Sequence, residues 1–266
     1  MIYQRIACLS TEAVETLYAL GAQDAIAGIS GFTTRPPEAR RDKPKISGFS
    51  SSRIERILAV KPDLVIGFSN LQADICRDLA AAGVEVHLFN QRDVAGILRM
   101  VQTLAALVDR QEEGRKLVDA LQAKVDAARA QAAHWPVRPK VYFEEWNEPL
   151  ISGIGWVSEL IQIAGGEDVF AELAKHPGAK ERIIADPMEV VRRAPDIIIG
   201  SWCGKKFQPD TLRGRPGWDA IPAVQHGMVS EIKSVDILSP GPSAIDEGLR
   251  RVGAVLAHWQ ERQRRA

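Results

Sequence analysis

An internal repeat constrains the fold of this chain more than any other feature of its sequence. Residues 61–68 read KPDLVIGF, and residues 194–202 read APDIIIGSW. A second pair recurs in the same order, AVETLYALGAQD at 13–24 and WVSELIQIAGGED at 156–168. Proline and aspartate end a helix and turn the chain into a strand, and the branched apolar run after them is typical of a buried parallel strand. The repeat therefore predicts two similar α/β units.

Short apolar runs alternate with helical patterns along both copies of the repeat. Alternation of this kind predicts βαβ units and parallel sheets. We therefore predict an α/β fold with two Rossmann-like βα lobes, in which residues 147–155 form a loop. The predicted strands lie at 5–10, 26–30, 45–49, 63–68, 84–89, 140–146, 196–202 and 227–233.

The longest helical pattern lies between the two copies. Residues 109–133 contain no proline and a single glycine, Gly114, which is where we expect any break. About 22 helical residues would make a rod of roughly 33 Å. We predict an N-terminal α/β lobe at 1–108, a linking helix at 109–134 and a C-terminal α/β lobe at 135–266. The apolar stripe of the helix consists of Leu117, Leu121, Val125 and Ala128.

The charge balance and the first residues bear on partners and compartment. Lys+Arg and Asp+Glu are 34 each, which argues against general binding of nucleic acid or anionic membranes. The sequence has no run of about 18 apolar residues, so we expect no membrane insertion. Residues 1–30 lack a basic region followed by an apolar one, and we expect no signal peptide in this sequence. Cys8, Cys76 and Cys203 are widely spaced, which predicts free thiols.

Aromatic residues fall where predicted strands end. Phe32, Phe49, Phe68, Trp146 and Trp202 each lie at or just after a strand. Ligands of open parallel sheets bind outside the carboxyl ends of the strands. Each aromatic side chain covers about 150–250 Å², so the set predicts a cleft for a large, flat ligand. Packing in the core is the alternative for each residue taken singly.

Two acidic residues repeat with the motif. Glu55 and Glu189 each lie near the start of the helix that precedes a repeated strand. A solvated helix face, or a favourable position in the helix dipole, is one interpretation. The other is a pair of docking charges, one on each lobe, that orient a basic partner.

The remaining reactive residues give weak signals for chemistry. Cys203 is followed closely by Lys205 and Lys206, which could lower the pKa of its thiol, although an inert cysteine is the commoner case. Glu144 and Glu145 are adjacent in a strand, so their side chains point to opposite faces. The histidines show no metal-binding spacing and no phosphate-binding loop occurs. We therefore predict no catalytic residue, no metal site and no cofactor.

Two motifs carry a resemblance to a known family. They are the helix followed by KPDLV and an aromatic residue at 55–68, and LISGIGWVSELIQIAGGEDVF at 150–170. Over nearly its whole length the chain resembles the class III solute-binding proteins of ABC importers, which bind cobalamin, siderophores and haem. The second motif is most similar to the cobalamin-binding branch. The resemblance implies two α/β lobes joined by one long helix, a corrinoid in the inter-lobe cleft, delivery to a permease, no enzymatic activity and a periplasmic location.

The resemblance also implies roles for residues of the N-terminal lobe and for the two repeated acids. Phe32, Phe49 and Phe68 match cleft aromatics that contact the corrin ring. Glu55 and Glu189 match lobe-tip glutamates that dock on arginines of the ABC transporter permease.

In the C-terminal lobe the match is partial. Asp236 falls near a polar cleft contact of the family. Two positions, Leu150 and about Ile183, are aliphatic where well-known cobalamin binders carry aromatic residues. Trp146 and Trp202 are expected to compensate.

Two alternatives remain open from the sequence. The same fold could bind a ferric siderophore or haem, but no histidine or tyrosine occupies the predicted cleft positions, and the acidic Asp236 and Glu145 suit an amide-rich corrinoid. The second alternative is an intracellular corrinoid chaperone or an enzyme that depends on Cys203. The lack of an export signal in this sequence supports it, with the cytoplasm as the alternative compartment.

Overall fold

The first sheet is entirely parallel and has the strand order β3-β2-β1-β4-β5. It belongs to a computed structural model that describes residues 2–265. All residues of the neighbouring strands β1 and β4 are buried, as their unbroken apolar runs predict. The strands are β1 (Ile6–Cys8), β2 (Ile26–Ser30), β3 (Lys45–Ser47), β4 (Leu64–Phe68) and β5 (Val86–Phe89).

Helices cover both faces of this sheet. Ile6 and Cys8 of β1 join a buried cluster with the first and fifth helices, whereas Ala7 and Leu9 join a separate cluster with the third and fourth. Successive strand residues point to opposite faces, so a doubly covered sheet needs apolar residues at every position. The helices are α1 (Thr11–Ala19), α2 (Pro37–Asp42), α3 (Ile54–Leu58), α4 (Ala73–Ala81) and α5 (Val94–Leu107).

The second sheet has the order β10-β9-β6-β7, and β8 also pairs with β6. Strands β8 and β9 run parallel to β6, and β10 runs parallel to β9. Strand β7 is antiparallel to β6 and forms a hairpin with it. The strands are β6 (Lys140–Asn147), β7 (Leu150–Ser152), β8 (Glu167–Asp168), β9 (Ile197–Gly200) and β10 (Val229–Glu231).

The prediction that residues 147–155 form a loop was wrong, because β7 lies within them. Strand β8 was also missed. With 3 and 2 residues respectively, these strands are too short to show an alternating pattern.

The remaining helices follow the first sheet or surround the second. They are α6 (Gln111–Ala132), α7 (Gly155–Ile163), α8 (Ala171–Ala174), α9 (Met188–Arg193), α10 (Asp210–Arg213), α11 (Pro222–Gln225), α12 (Ser234–Ile237) and α13 (Leu249–Arg265). Short 3₁₀ segments lie at Gln23–Ala25, Asn70–Gln72, Lys180–Arg182 and Trp218–Ala220, and a π-helical turn at Ala244–Gly248 leads into α13. No helix within residues 2–265 has the length and apolar character needed to cross a bilayer.

The chain divides into two compact units. Unit 1 contains the residues up to Gln91 together with Ala95–Leu121 and Pro240–Pro242. Unit 2 contains Arg92–Val94, Gln122–Ser239 and the residues from Ser243 onward. The 22-residue helix α6 therefore supplies its first half to unit 1 and its second half to unit 2.

The repeated Pro-Asp motif has the same structural role in both units. The carboxylate of Asp63 accepts a hydrogen bond from the backbone N–H of Arg5 at 2.9 Å, and that of Asp196 accepts one from Lys140 at 2.8 Å. The backbone N–H of each aspartate donates in return to the carbonyl of the same residue. The residue two positions before each aspartate has a left-handed backbone, with φ of 48° and 47°. Each motif thus fixes the start of a central strand, β1 or β6.

Gly114 does not interrupt α6, contrary to the expectation of a break there. A Cβ atom at Gly114 would lie 2.4 Å from the Cβ of Ala105 on α5. The glycine therefore permits the close approach of two helices of unit 1, and its lack of a side chain serves packing rather than bending.

Candidate functional site

The carboxyl edge of the first sheet brings together three of the predicted site residues. Phe32, in the loop after β2, is 65% exposed, and Leu71, after β4, is 64% exposed. Phe49, in the loop after β3, is half-buried. Phe68, the last residue of β4, is buried. Because parallel strands end at the same edge of a sheet, unit 1 presents an apolar surface there, to which Leu71 adds a residue that the sequence reasoning missed.

Gln72 holds the loops of this edge together. Its side chain is fully buried, and its Nε2 donates to the carbonyl oxygens of Leu9 at 3.2 Å and Phe49 at 2.8 Å. Its Oε1 accepts from the backbone N–H of Phe68 at 2.9 Å. One amide thus ties the chain after β1 and after β3 to the last residue of β4. The sequence reasoning missed it because a single glutamine outside a strand carries no periodic signal.

A glycine at or next to the end of each repeated strand makes room for a neighbouring side chain. A Cβ atom at Gly67 would lie 2.9 Å from Oε1 of Gln72, and one at Gly200 would lie 2.1 Å from the ring of Phe207. Since Gln72 and Phe207 are buried, a larger residue at either glycine would displace an interior group.

In unit 2, Trp202 belongs to the interior. It is 3% exposed, its indole N–H donates to Glu144 at 3.0 Å, and its ring packs edge-on against Phe207 with centroids 5.0 Å apart. Glu144 is fully buried and accepts two hydrogen bonds from Arg215, at 2.6 and 2.9 Å. The predicted ligand aromatic therefore also anchors a buried ion pair, which the sequence did not indicate.

Glu145 has a different partner from Glu144, as the alternation of a strand requires. It accepts two hydrogen bonds from the buried Arg182, at 2.6 and 2.9 Å. A third hydrogen bond joins this guanidinium to the carbonyl of Ser152 on β7. Glu145 thus neutralises an interior cation, and a buried ion pair of this kind is costly to break by removing one partner.

Trp146 and Leu150 lie on the β6–β7 hairpin. Trp146 is half-buried, and its indole N–H donates to the carbonyl of Glu148 at 2.9 Å. The ammonium of Lys205 lies 5.7 Å from the ring centroid of Trp146 and 4.9 Å from that of Trp202, within the range of cation–π attraction. Leu150 is buried, with 7% of its surface exposed.

Asp236 pairs with a half-buried arginine. It lies in α12 with 2% of its surface exposed, and its carboxylate is 3.1 Å from Nε of Arg251. Arg251 also pairs with Glu247 at 2.7 Å. The carboxylate of Asp236 is therefore engaged within unit 2 and offers little surface for contact from outside.

The two repeated acids differ in their surroundings. Glu55 is exposed in the first turn of α3, and no side-chain hydrogen bond or ion pair of Glu55 is found within residues 2–265. Glu189, in the first turn of α9, pairs with Arg193 at 3.0 Å and with Arg192 at 2.7 Å. These hydrogen bonds, that from Arg193 first, lower the pKa of Glu189.

Cys203 does not have the environment of an activated thiol. It lies in an exposed turn, but neighbouring protein removes part of the water around its sulfur, and Glu145 adds a negative charge nearby. Both effects raise the pKa of the Cys203 thiol, the desolvation more strongly. This direction is opposite to the one expected from Lys205 and Lys206, so less of the nucleophilic thiolate is present at neutral pH.

A cavity of a size that suits small molecules lies in each of the two units. The cavity in unit 1, about 550 Å³, lies beside the end of β3 and is lined mainly by serine and arginine side chains. The cavity in unit 2, about 340 Å³, is lined by both acidic and basic side chains, which include Arg92, Glu159, Lys175 and His176. Glu159 already accepts a hydrogen bond from the backbone N–H of Val94 at 2.7 Å. In the described part of the chain, no three His, Cys, Asp or Glu side chains are grouped as metal ligands.

Comparison with known proteins gives a consistent set of similarities. Residues 6–235 match the family model described as periplasmic binding protein. The vitamin B12-binding protein of Vibrio parahaemolyticus is 28% identical over 81% of this chain and 80% of its own length. The vitamin B12-binding protein of Vibrio campbellii is 27% identical over 74% of this chain and 70% of its own length.

Solved structures share the fold. A possible iron-binding, periplasmic solute-binding protein of Staphylococcus epidermidis has a TM-score of 0.81 at 21% identity, covering 96% of this chain and 99% of its own. The periplasmic vitamin B12-binding protein BtuF of Vibrio cholerae has a TM-score of 0.78 at 22% identity, and the match covers 97% of this chain and 98% of that chain. S. aureus IsdE complexed with heme has a TM-score of 0.79 at 18% identity, and the match covers 96% of this chain and 98% of that chain. These likenesses confirm the predicted α/β fold of class III binding proteins.

Proposed function

Because the chain belongs to the periplasmic binding protein family, and is thus a solute-binding protein, we propose that its solute is cobalamin or a related corrinoid. The observation that carries this proposal is the similarity to the vitamin B12-binding protein of Vibrio parahaemolyticus over 81% of this chain and 80% of that protein. The family consists of binding proteins, so the function is capture and delivery of the solute without a chemical reaction. In keeping with the family, the proposed location of the protein is outside the cytoplasm.

The proposed ligand contacts in unit 1 are the aromatic residues at the carboxyl edge of the first sheet. Phe32 and the partly open Phe49 offer apolar surface to a flat macrocycle, whereas Phe68 is buried and offers less. Burial of apolar surface stabilises a complex by about 25 cal/mol per Å². The hydrogen bonds of Gln72 to Phe49 and Phe68 hold the two backbones in place before the ligand arrives, which reduces the ordering cost of binding.

Unit 2 contributes by a different division of roles. Trp146 is the aromatic residue with surface open to a ligand, and the ammonium of Lys205 lies within cation–π range of its ring. Trp202, Leu150 and Asp236 are buried, so we propose that they shape the edge of the second sheet rather than contribute large contact areas. No histidine or tyrosine is among these residues, which supports a corrinoid over a haem with an axial protein ligand.

We also propose that the protein delivers its solute to an ABC transporter permease. Glu55 and Glu189 occupy the same place in the two copies of the repeat, each in the first turn of a short surface helix. Such carboxylates can orient a partner that presents arginine side chains. Glu55 is available as it stands, whereas Glu189 must share its charge with Arg192 and Arg193.

Titration with cyanocobalamin tests the ligand assignment, with haemin and a ferric hydroxamate as competing ligands. We expect calorimetric heat and a change in the corrinoid absorption spectrum. Phe32→Ala should weaken binding about tenfold, which corresponds to about 1.4 kcal/mol. Val137→Ala is the matched control, because Val137 is also an exposed apolar residue, at 55%. No heat and no spectral change at high micromolar cyanocobalamin would refute the corrinoid assignment, and binding of haemin or the hydroxamate instead would favour that alternative.

Uptake by whole cells tests the docking assignment. The double variant Glu55→Ala, Glu189→Ala should retain corrinoid affinity and lose uptake, whereas Glu113→Ala, an exposed acid of α6, should retain both. Unchanged uptake in the double variant would remove the docking role. Cys203→Ser should alter neither property, and loss of cellular function in that variant would favour the thiol-dependent alternative.

A further inference from the structure

We propose that the cavity of unit 1 binds a phosphate group. The cavity has a volume of about 550 Å³, within the range of small-molecule sites. Its polar lining consists of the hydroxyls of Ser47, Ser51 and Ser52 and the guanidinium groups of Arg53 and Arg56. No acidic side chain lines it, so the charge of the wall is wholly positive.

Both arginines are available for a ligand. Arg53 and Arg56 are exposed, and within residues 2–265 neither side chain has a hydrogen bond or ion pair. Glu55, although adjacent in sequence, is not their partner. A guanidinium presents a planar fork of N–H donors that fits an oxyanion, and its charge strengthens each hydrogen bond. Two unpaired guanidinium groups beside one cavity are therefore suited to a phosphate.

The serine hydroxyls supply further donors. The Oγ atoms of Ser47 and Ser52 are shielded from solvent and have no hydrogen-bond partner in the part of the chain described here. Buried polar groups in proteins nearly always have a hydrogen-bond partner, so these two hydroxyls are expected to gain one when a ligand binds. The turn closed by the hydrogen bond from Gly48 N–H to the carbonyl of Ser51, at 2.8 Å, places Ser51 on the same wall. Because Ser47 and Ser52 both line the cavity, an oxyanion that enters it can accept hydrogen bonds from these hydroxyls.

The site adjoins a proposed ligand contact, because Gly48, which also lines the cavity, directly precedes Phe49. Cobalamin carries one phosphodiester in its nucleotide loop, and cobinamide lacks that loop. The phosphate held in the cavity is thus this phosphodiester, an identification that rests on the proposed function. Free inorganic phosphate is the other source with the same chemistry, and it does not depend on corrinoid binding.

Two titrations separate these sources. Cyanocobalamin and dicyanocobinamide are titrated by absorbance into the full chain and into the double variant Arg53→Gln, Arg56→Gln. Inorganic phosphate is titrated by calorimetry into the same proteins. The matched control is Arg41→Gln, Arg77→Gln, which removes two exposed charges from unit 1 at side chains that are 76% and 69% accessible. Circular dichroism verifies that each variant is folded.

We expect the cavity variant to bind cobalamin about tenfold more weakly, to bind cobinamide as the parent does, and to bind no phosphate. Loss of phosphate binding with unchanged cobalamin affinity would support a site for the free anion. The proposal is overturned if phosphate binding is absent, or unaffected by the variant, while the preference for cobalamin over cobinamide is also unaffected. Failure of both corrinoids to bind would refute the proposed function alone, since the phosphate titration still tests the cavity.

Discussion

The side-chain amide nitrogen of Gln72 lies 2.8 Å from the backbone carbonyl oxygen of Phe49. The same amide group reaches two further backbone atoms, in Leu9 and Phe68. Three chain segments at the carboxyl edge of the first sheet therefore depend on one buried side chain.

Gln72→Leu should lower the free energy of unfolding by about 2–4 kcal/mol, because it removes three hydrogen bonds to buried or half-buried backbone groups. Chemical denaturation in urea measures the change. Gln102→Leu, on an exposed position of α5, should change it by less than about 0.5 kcal/mol. A similar loss in both variants would mean that the three hydrogen bonds contribute little.

Arg215→Met should lower the free energy of unfolding by about 3–5 kcal/mol, because it leaves the fully buried carboxylate of Glu144 without its cation. Adding Glu144→Gln should recover part of the loss. The exposed pair of Arg77 and Asp74 is the reference, and Arg77→Met should cost at most about 1 kcal/mol. If the double variant is as unstable as the sum of its parts, the two groups are not energetically coupled.

Glu12 should make stability depend on pH. The residue is 3% exposed, and burial, only partly offset by hydrogen bonds, raises its pKa from 4.5 to about 7. Between these values the unfolded chain has lost the proton and the folded chain still holds it, so stability falls as pH rises. The loss is complete above about pH 7 and absent well below 4.5.

The variant Glu12→Gln lacks this titration and should be more stable than the parent at pH 8 by roughly 3 kcal/mol, with no difference near pH 4. Urea denaturation across this pH range measures the difference. Glu113→Gln, an exposed carboxyl of α6, should leave the pH profile of the parent unchanged. A constant offset between Glu12→Gln and the parent at all pH values would contradict the assignment.

Gly114→Ala should lower the melting temperature despite the better helix propensity of alanine. Its Cβ would meet that of Ala105 at 2.4 Å, and overpacking of this kind costs about 1–3 kcal/mol. Gly253→Ala in α13 is the control, because no atom lies within 4 Å of a Cβ there. It should stabilise the protein by about 0.5–1 kcal/mol. Equal effects of the two substitutions would show that α5 and α6 tolerate wider spacing.

The sequence predicted the parts of the fold that have strong local patterns. The runs LVIGF and IIIG predicted β4 and β9, and the Pro-Asp turn before each run predicted where these two strands begin. The hairpin strand β7 was not predicted, because 3 residues are too few to show the alternation of apolar and polar residues in a strand. Gly114 was misjudged because its role depends on Ala105, on another helix, and composition alone does not distinguish a break from a close contact.

At the candidate site, position at a strand end was predictable and burial was not. Phe32 and Trp202 have equivalent places in the pattern, yet one is 65% exposed and the other 3%. The difference arises from Glu144 and Phe207, which enclose Trp202. Asp236 was expected in a loop but lies in the short helix α12, and its partner Arg251 comes from α13, which only the folded chain brings near.

The unequal surroundings of Glu55 and Glu189 mean that two acids related by the repeat are different kinds of electrostatic contact. A cation arriving at Glu55 meets an exposed carboxylate and adds a new charge pair. A cation that binds Glu189 must displace Arg192 or Arg193 from an existing ion pair. Glu55 can therefore increase the rate of association with a cationic partner. Glu189 adds binding energy only if the partner forms a better ion pair than the arginine it replaces.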